Sequence, residues 1–181
     1  EDNINKMGDS FSDKFENGTA GGEDSDAAEI KREAGSVIPT GAKYLKCNWD
    51  STYDSYKENM PEEYTTLEGN GTNKFPNAPK QGDKYFEGNY EYLYNGASYY
   101  TILEYGSEWS VSTRDQTKTS YGKIVSEISG KPLSSMYSTF YGCTSLTAAP
   151  IIPDSVTNMY GTFYGCTSLT GIITINANPT E

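Results

Sequence analysis

Three cysteines and a cluster of acidic residues are the side chains with the greatest potential for chemistry. The cysteines are Cys47, Cys143 and Cys166, and the chain of 181 residues contains no histidine. A catalytic thiol needs an adjacent base, and a zinc site needs Cys and His in close clusters, so neither is expected. The acidic residues in 50–63 match no calcium-loop pattern and form no pair typical of glycoside hydrolysis. We therefore predict a protein that is not an enzyme and that has no metal and no cofactor.

A repeat of 23 residues is the strongest pattern in the chain. The segment Met136–Thr147 recurs as Met159–Thr170 with eleven of twelve positions identical. Repeats of about 20–50 residues are typical of chains whose units stack on one another. Apolar residues recur every three or four positions through the repeat, which predicts that they face a shared interior. This predicted repeat core comprises Phe140, Cys143, Leu146, Ile152, Val156, Met159, Phe163, Cys166 and Leu169.

Equivalent positions of the two repeats also carry tyrosines and cysteines. Stacking would pair Tyr137 with Tyr160 and Tyr141 with Tyr164. These tyrosines are the candidate binding residues: they form either a ladder that stiffens the repeats or an exposed patch for protein or sugar, because surface Tyr is enriched at contact sites. The repeated cysteine is either a buried free thiol in each unit or half of a disulfide, since adjacent units would lie about 4.8 Å apart.

The repeat also carries a family resemblance. Phe-Tyr-Gly-Cys-Thr-Ser-Leu-Thr, followed by Ile-Pro-Asp-Ser-Val-Thr-Asn at 152–158, resembles the BspA-like leucine-rich repeats of bacterial surface proteins over residues 131–175. That resemblance implies that the Phe, Cys, Leu, Ile and Val positions line the interior. It also implies export or surface anchoring, adhesion and protein binding. Residues 4–15 resemble the post-membrane part of small Flp-type pilins, which implies a subunit of a fibre.

The remaining elements are predicted from periodicity and turn residues. Ile4, Met7, Phe11 and Phe15 form one helical stripe, which predicts an amphipathic helix over residues 2–15. Strands are predicted at 43–48, 84–95, 99–105 and 109–113, with a hairpin turn at Glu87-Gly88-Asn89, whereas 50–82 reads as a loop and 119–129 as a short helix.

These elements together predict an α+β fold that is mostly β. A small β-rich domain is followed by a short leucine-rich-repeat solenoid, and the amphipathic helix precedes both. The predicted units are residues 1–34, with the helix and an acidic linker, residues 35–129, the β-rich domain, and residues 130–181, the repeats. A solenoid generally needs three or more repeats, so the end of the second repeat is expected either to be a contact surface for a neighbouring chain or to mark where a longer protein was truncated.

The charge and the resemblance lead to a functional hypothesis. The formal net charge of −11 makes nucleic acid an unfavourable partner. We expect an extracellular protein at the surface of a bacterium, acting as an adhesion or protein-interaction module with a protein or glycan ligand. Self-association through the solenoid end or the N-terminal helix is a further expectation. The alternatives are a structural subunit of a pilus or other surface fibre, and a carbohydrate-binding module.

Overall fold

The computed structural model describes residues 30–47, 64–95 and 108–175, and this part of the chain contains strands and turns but no helix. The strands are β1 (Lys31–Arg32), β2 (Lys43–Cys47), β3 (Tyr64–Glu68), β4 (Lys84–Glu87), β5 (Tyr90–Tyr94), β6 (Trp109–Thr113), β7 (Glu127–Ile128) and β8 (Lys131–Ser135). They form one eight-stranded sheet in the order β1-β7-β8-β6-β5-β4-β2-β3. The pairs β1–β7 and β6–β8 are parallel, and the other neighbours are antiparallel.

The hairpin of β4 and β5 shows how the sequence forms this sheet. Gly88 adopts a φ of 57° in the tight turn, a conformation that glycine accepts without steric cost. Along β5, Tyr90, Tyr92 and Tyr94 are buried and alternate with partly exposed residues. This period of two places one aromatic face of the hairpin in the core. The hairpin predicted from the two aromatic runs is therefore present.

Trp109 lies at the centre of the core and is fully buried. Its ring packs against those of Tyr94 and Tyr44, with centroid distances of 5.1 and 6.3 Å. Its indole Nε1 donates a hydrogen bond of 3.0 Å to the carbonyl of Ile128. A buried indole needs such a partner, so this bond ties β6 to the end of β7.

The chain after β8 consists of turns arranged as two equivalent units, the first repeat unit (residues 136–158) and the second repeat unit (159–175). The N–H groups of Ser138 and Gly142 donate to the carbonyls of Tyr160 and Tyr164 over 2.9 and 2.8 Å. Each unit also has left-handed residues at equivalent positions: Ser138 matches Gly161, and Gly142 matches Gly165. The two copies of the motif therefore fold alike and lie side by side.

The predicted fold class is wrong. Over the described residues the structure is all-β with a single eight-stranded sheet, instead of an α+β arrangement of a β-rich domain and a separate leucine-rich-repeat solenoid. The repeat units share one hydrophobic cluster with the sheet, in which Phe140 and Leu146 join Trp109 and Tyr92. Two units are too few to enclose a core of their own, so they complete the core of the sheet instead. The predicted N-terminal amphipathic helix lies outside the described residues.

Two local predictions are also wrong. Residues 119–129 do not form a helix: the chain has no regular secondary structure from 120 to 126 and then enters β7, with Ile124, Val125 and Ile128 all buried. Their spacing suits a helical stripe equally well, which explains the error. Within the predicted loop of residues 50–82, the structure contains β3, which pairs along its full length with β2.

Ser138 provides a test of the backbone of the first repeat unit. Its φ of 52° is left-handed, where an L residue is strained and glycine is not. We expect Ser138→Gly to raise the free energy of unfolding by about 0.5–1 kcal/mol, since the relief of strain exceeds the added entropy of the unfolded chain. Urea denaturation measures the change. Ser168→Gly is the control, because Ser168 is exposed and has no positive φ. Equal destabilisation by both changes would contradict the assignment.

Candidate functional site

Four exposed tyrosines form two stacked pairs across the repeat units. The rings of Tyr137 and Tyr160 are 5.4 Å apart and tilted by 12°, and those of Tyr141 and Tyr164 are 5.0 Å apart and tilted by 13°. Their exposed fractions are 58%, 64%, 51% and 66%, in the same order. We call these four residues the tyrosine ladder. The rings therefore stack on one another and still face solvent, and their binding of a protein or sugar stays a prediction.

The backbone of the repeat units sets the geometry of the tyrosine ladder. Tyr137 follows the buried Met136, and Tyr141 follows the buried Phe140, so the chain turns inward at one residue and outward at the next. Backbone hydrogen bonds hold adjacent units at a spacing close to the roughly 4.8 Å between hydrogen-bonded strands. Ring separations of 5.0 and 5.4 Å fall within the range for stacked aromatic pairs.

A third aromatic stack supports the tyrosine ladder from inside. Phe140 and Phe163 lie 5.3 Å apart and are tilted by only 5°. Phe140 also contacts Tyr121 and Tyr90, at centroid distances of 5.1 and 6.4 Å. The exposed rings consequently stand on a backbone that is packed against the core of the sheet. A binding surface of this kind loses little conformational entropy when a ligand binds.

An open cleft of about 320 Å³ lies next to Tyr137. Its walls come from β5, β6, the end of β8 and the first repeat unit, and they are formed by Glu91, Leu93, Asn95, Ser110, Val111, Ser112, Ser135 and Tyr137. A carboxylate, an amide and three hydroxyls thus surround an exposed aromatic ring. Lys84 forms an ion pair of 3.3 Å with Glu91, which orients the carboxylate at the cleft. No pattern in the sequence indicates this cleft, because its polar residues come from three separate strands and from Asn95, which follows β5.

The residues of the predicted repeat core divide between the two units. Those of the first unit are fully buried, namely Phe140, Cys143, Leu146, Ile152 and Val156. Those of the second unit are partly exposed but pack against the same cluster, namely Met159, Phe163, Cys166 and Leu169. The difference follows from position, because the first unit lies between the sheet and the second unit, and the second unit has one open side.

The cysteines are free thiols in structural environments. Cys47 and Cys143 are buried, and Cys166 is partly exposed. The thiol of Cys166 donates to the carbonyl of Phe140 over 3.1 Å, and its pKa is raised by burial and by the neighbouring Cys143. A raised pKa keeps a thiol protonated and weakly nucleophilic. Within the described residues, no group of three His, Cys, Asp or Glu side chains is placed to hold a metal ion.

Asp83 is a buried carboxylate whose contacts are structural. It accepts hydrogen bonds from the hydroxyl of Tyr44, at 2.8 Å, and from the backbone N–H groups of Lys80 and Cys47. Burial raises its pKa, and the three donors oppose that rise. All its bonds go to protein groups that fix the start of β4 against β2, so Asp83 is not a candidate for catalysis.

Comparison with family models, curated proteins and solved structures yields no match for this chain. The tyrosine ladder and the adjoining cleft therefore have to be interpreted from their own geometry. Among the described residues, no helix is long and apolar enough to cross a membrane.

Proposed function

We propose that the protein is a non-enzymatic binding module that contacts a protein partner through the tyrosine ladder. The observation that carries the proposal is the exposure of four stacked rings on a backbone anchored in the core. Tyr side chains supply large contact areas at low entropic cost and are enriched among the residues that dominate binding energies.

The charge around the tyrosine ladder narrows the class of partner. Between Met136 and Ile175 the only residue with a formal charge at pH 7 is Asp154, although the whole chain has a net charge of −11. A neutral aromatic surface binds through apolar contact and hydrogen bonds from the phenol groups, so salt should screen the interaction only weakly. The expected partner is therefore a protein surface with exposed apolar or aromatic groups instead of a charged one.

Display outside a bacterial cell is part of the same proposal. Its support is the resemblance of the repeat motif at 140–147 and 163–170 to BspA-like surface proteins. Adhesion is the activity that this setting and a neutral contact surface suit best. Protease treatment of intact cells that produce the protein tests the location, because only a displayed chain is cleaved while a cytoplasmic marker survives.

Removal of the outer tyrosines tests the contact surface. We expect the double variant Tyr160→Ala/Tyr164→Ala to weaken binding about tenfold or more, since exposed aromatic anchors each contribute about 1–2 kcal/mol. The probe is a phage library of random peptides selected on the wild-type protein, followed by affinity measurements on the enriched peptides. Tyr64→Ala is the control, because Tyr64 is an exposed tyrosine of β3 outside the ladder. Equal binding by wild type and double variant would show that the ladder is not the contact surface.

Glycan binding is a second candidate, and the cleft beside Tyr137 favours it. Its carboxylate, amide and hydroxyl groups provide donors and acceptors next to an aromatic face, an arrangement that suits a sugar ring. A glycan array separates the two candidates. Binding that is lost in Asn95→Ala and kept in Tyr164→Ala would support the cleft, and an array without binding would leave the protein partner as the proposed ligand.

A further inference from the structure

The cleft beside Tyr137 exists because β6 presents small side chains between two rows of larger ones. Ser110 of β6 lies beside Leu93 of β5 on one side and beside the end of β8 on the other. Ser112 is paired in the same way with Glu91 of β5, and both serines line the cleft. These two serine side chains, which we call the serine floor, therefore leave an open space between β5 and the ring of Tyr137.

The width of the cleft follows from the spacing of the strands. β6 lies between β5 and β8, and neighbouring strands are about 4.8 Å apart, so the two walls stand about 10 Å apart. A ring placed midway would lie about 5 Å from each wall. This is close to the 5.4 Å at which the ring of Tyr160 stacks on that of Tyr137. The cleft therefore has room for one flat ring parallel to Tyr137.

One face of the Tyr137 ring is available for such a ligand. The end of β8 lies between β6 and the second repeat unit, because Ser135 pairs with Ser110 on one side and with Asn158 on the other. Tyr160 stacks on Tyr137 from the side of the second repeat unit, with a tilt of 12°. The opposite face of the Tyr137 ring consequently points towards β6 and the serine floor.

The polar groups of the cleft match a ligand that carries several hydroxyl groups. Among the described residues, the side chains of Ser112 and Asn95 make no hydrogen bond. The hydroxyl of Ser135 accepts from the backbone N–H of Tyr137 over 3.3 Å, which leaves its own proton to donate. An apolar or aromatic ligand would cover these groups without satisfying them, which is unfavourable. A sugar ring offers them both donors and acceptors.

The charge of the cleft disfavours an acidic sugar. Among the described residues that line the cleft, Glu91 alone carries a charge, and its Oε1 is paired with Nζ of Lys84 over 3.3 Å. The lining offers no further cation to a ligand carboxylate or sulfate, and the whole chain has a net charge of −11. Oε2 of Glu91 is left to accept a hydrogen bond from a hydroxyl group. The ligand that fits is therefore a neutral sugar.

We propose that the cleft binds a neutral hexopyranose whose ring hydroxyls are all equatorial, as in a glucose unit of a glycan. Such a ring has C–H groups on both faces, one for the ring of Tyr137 and one for the side chain of Leu93. Its hydroxyls point outwards in the plane of the ring, towards the serine floor, Asn95 and Glu91. This inference rests on glycan binding at the cleft, the second candidate function, and specifies the class of sugar.

Two sugars that differ only in the configuration at C4 test the proposal. The probe is methyl β-glucopyranoside, and the control is methyl β-galactopyranoside, whose 4-hydroxyl is axial. Each is titrated into the full chain while the amide signals are followed by NMR. We expect a Kd on the order of 1 mM for the glucoside, with shifts at Ser110 and Ser112. Binding of the galactoside should be about tenfold weaker, because its axial hydroxyl meets an apolar wall.

Two variants change opposite sides of the space for the ring. Ser112→Leu fills the serine floor, and Tyr137→Ala removes one wall, so each should weaken binding of the glucoside about tenfold or more. Tyr141→Ala is the control, because Tyr141 belongs to the tyrosine ladder but does not line the cleft. Ser112 and Tyr137 are exposed, so both variants should keep the fold, and their thermal unfolding checks this.

The outcomes separate the class of sugar from glycan binding itself. Preference for the glucoside that is lost in both variants and kept in Tyr141→Ala would support the proposal. Equal binding of the two sugars, lost in both variants, would overturn the class of sugar while glycan binding at the cleft stands. Binding that persists in both variants would overturn the proposal, because the sugar would then lie elsewhere. Absence of binding at about 100 mM of either sugar would also overturn it. If no glycan of the array binds either, the second candidate function fails as well.

Discussion

The free energy of unfolding is expected to fall by about 5 kcal/mol between pH 8 and pH 11 through four of the six tyrosines that are buried in the core. Tyr44, Tyr85, Tyr90 and Tyr92 are 0–2% exposed, and burial is the main cause that raises the pKa of each phenol. The charges of Asp83 and Glu87 add to the rise at Tyr44 and Tyr85, respectively. A phenol that must stay protonated in the fold ionises only in the unfolded chain at these pH values.

The direction of the effect follows from proton linkage. With pKa values raised in the folded state, the folded protein holds more protons than the unfolded chain above pH of about 10, so stability is complete below that pH and declines above it. Each tyrosine contributes a slope of about 1.4 kcal/mol per pH unit. Urea denaturation at a series of pH values measures the slope, and tyrosinate absorbance shows when the phenols ionise.

Tyr90→Phe is the matched variant for this experiment. The hydroxyl of Tyr90 makes one hydrogen bond, of 3.0 Å, to the carbonyl of Gly122. Its loss should lower stability at neutral pH by about 1 kcal/mol and reduce the alkaline slope by one tyrosine, about 1.4 kcal/mol per pH unit. Ionisation of the buried tyrosines in a chain that remains folded, or a flat stability profile up to pH 11, would contradict the prediction.

The sequence predicted those parts of the fold in which residues alternate strongly. In β5, Tyr90, Tyr92 and Tyr94 alternate with Glu91 and Leu93 next to a glycine turn, and the hairpin follows directly from this pattern. β3 lies at the edge of the sheet, and four of its five residues are exposed. A strand that is exposed to solvent on both faces has no alternation of apolar and polar residues, so its sequence cannot be distinguished from that of a polar loop.

The long-range pairing that closes the sheet had no signal in the sequence. Lys31 and Arg32 pair in parallel with Glu127 and Ile128, and each strand has only two residues. Periodicity cannot be read from two residues. The guanidinium of Arg32 donates to the carboxylate of Glu87, over 2.5 Å, which helps to hold this short strand. The pairing of β1 with β7 depends on the tertiary structure, which brings these two strands together at one edge of the sheet.

The candidate site was predictable in one respect and hidden in another. A repeat of identical length and spacing places equivalent side chains in register, so the pairing of Tyr137 with Tyr160 could be predicted from the sequence alone. How far the rings are exposed depends on what covers the repeat, which periodicity does not reveal. The same limit explains the error in fold class: the spacing of Phe140, Cys143 and Leu146 predicts an inward face but does not show that the sheet lies against it.

Equivalent phenylalanines in the two repeat units should differ in their effect on stability. Phe140 is fully buried between Phe163, Tyr121 and Tyr90, so Phe140→Ala should lower the free energy of unfolding by about 3–5 kcal/mol. Phe163 stacks on Phe140 with one ring face but is partly exposed on the other side. Phe163→Ala should therefore cost only about 1–3 kcal/mol, in proportion to the smaller apolar area that it buries.

The comparison is controlled within the chain, because both changes remove the same side chain from the same motif. Urea denaturation of the two variants at neutral pH gives the two costs, with equal dependence on denaturant as the check that both unfold cooperatively. A cost for Phe163→Ala equal to that for Phe140→Ala would mean that Phe163 is fully covered in solution, and it would contradict its partial exposure. A clear difference would show that Phe140 lies inside the core, whereas Phe163 has one face outside it.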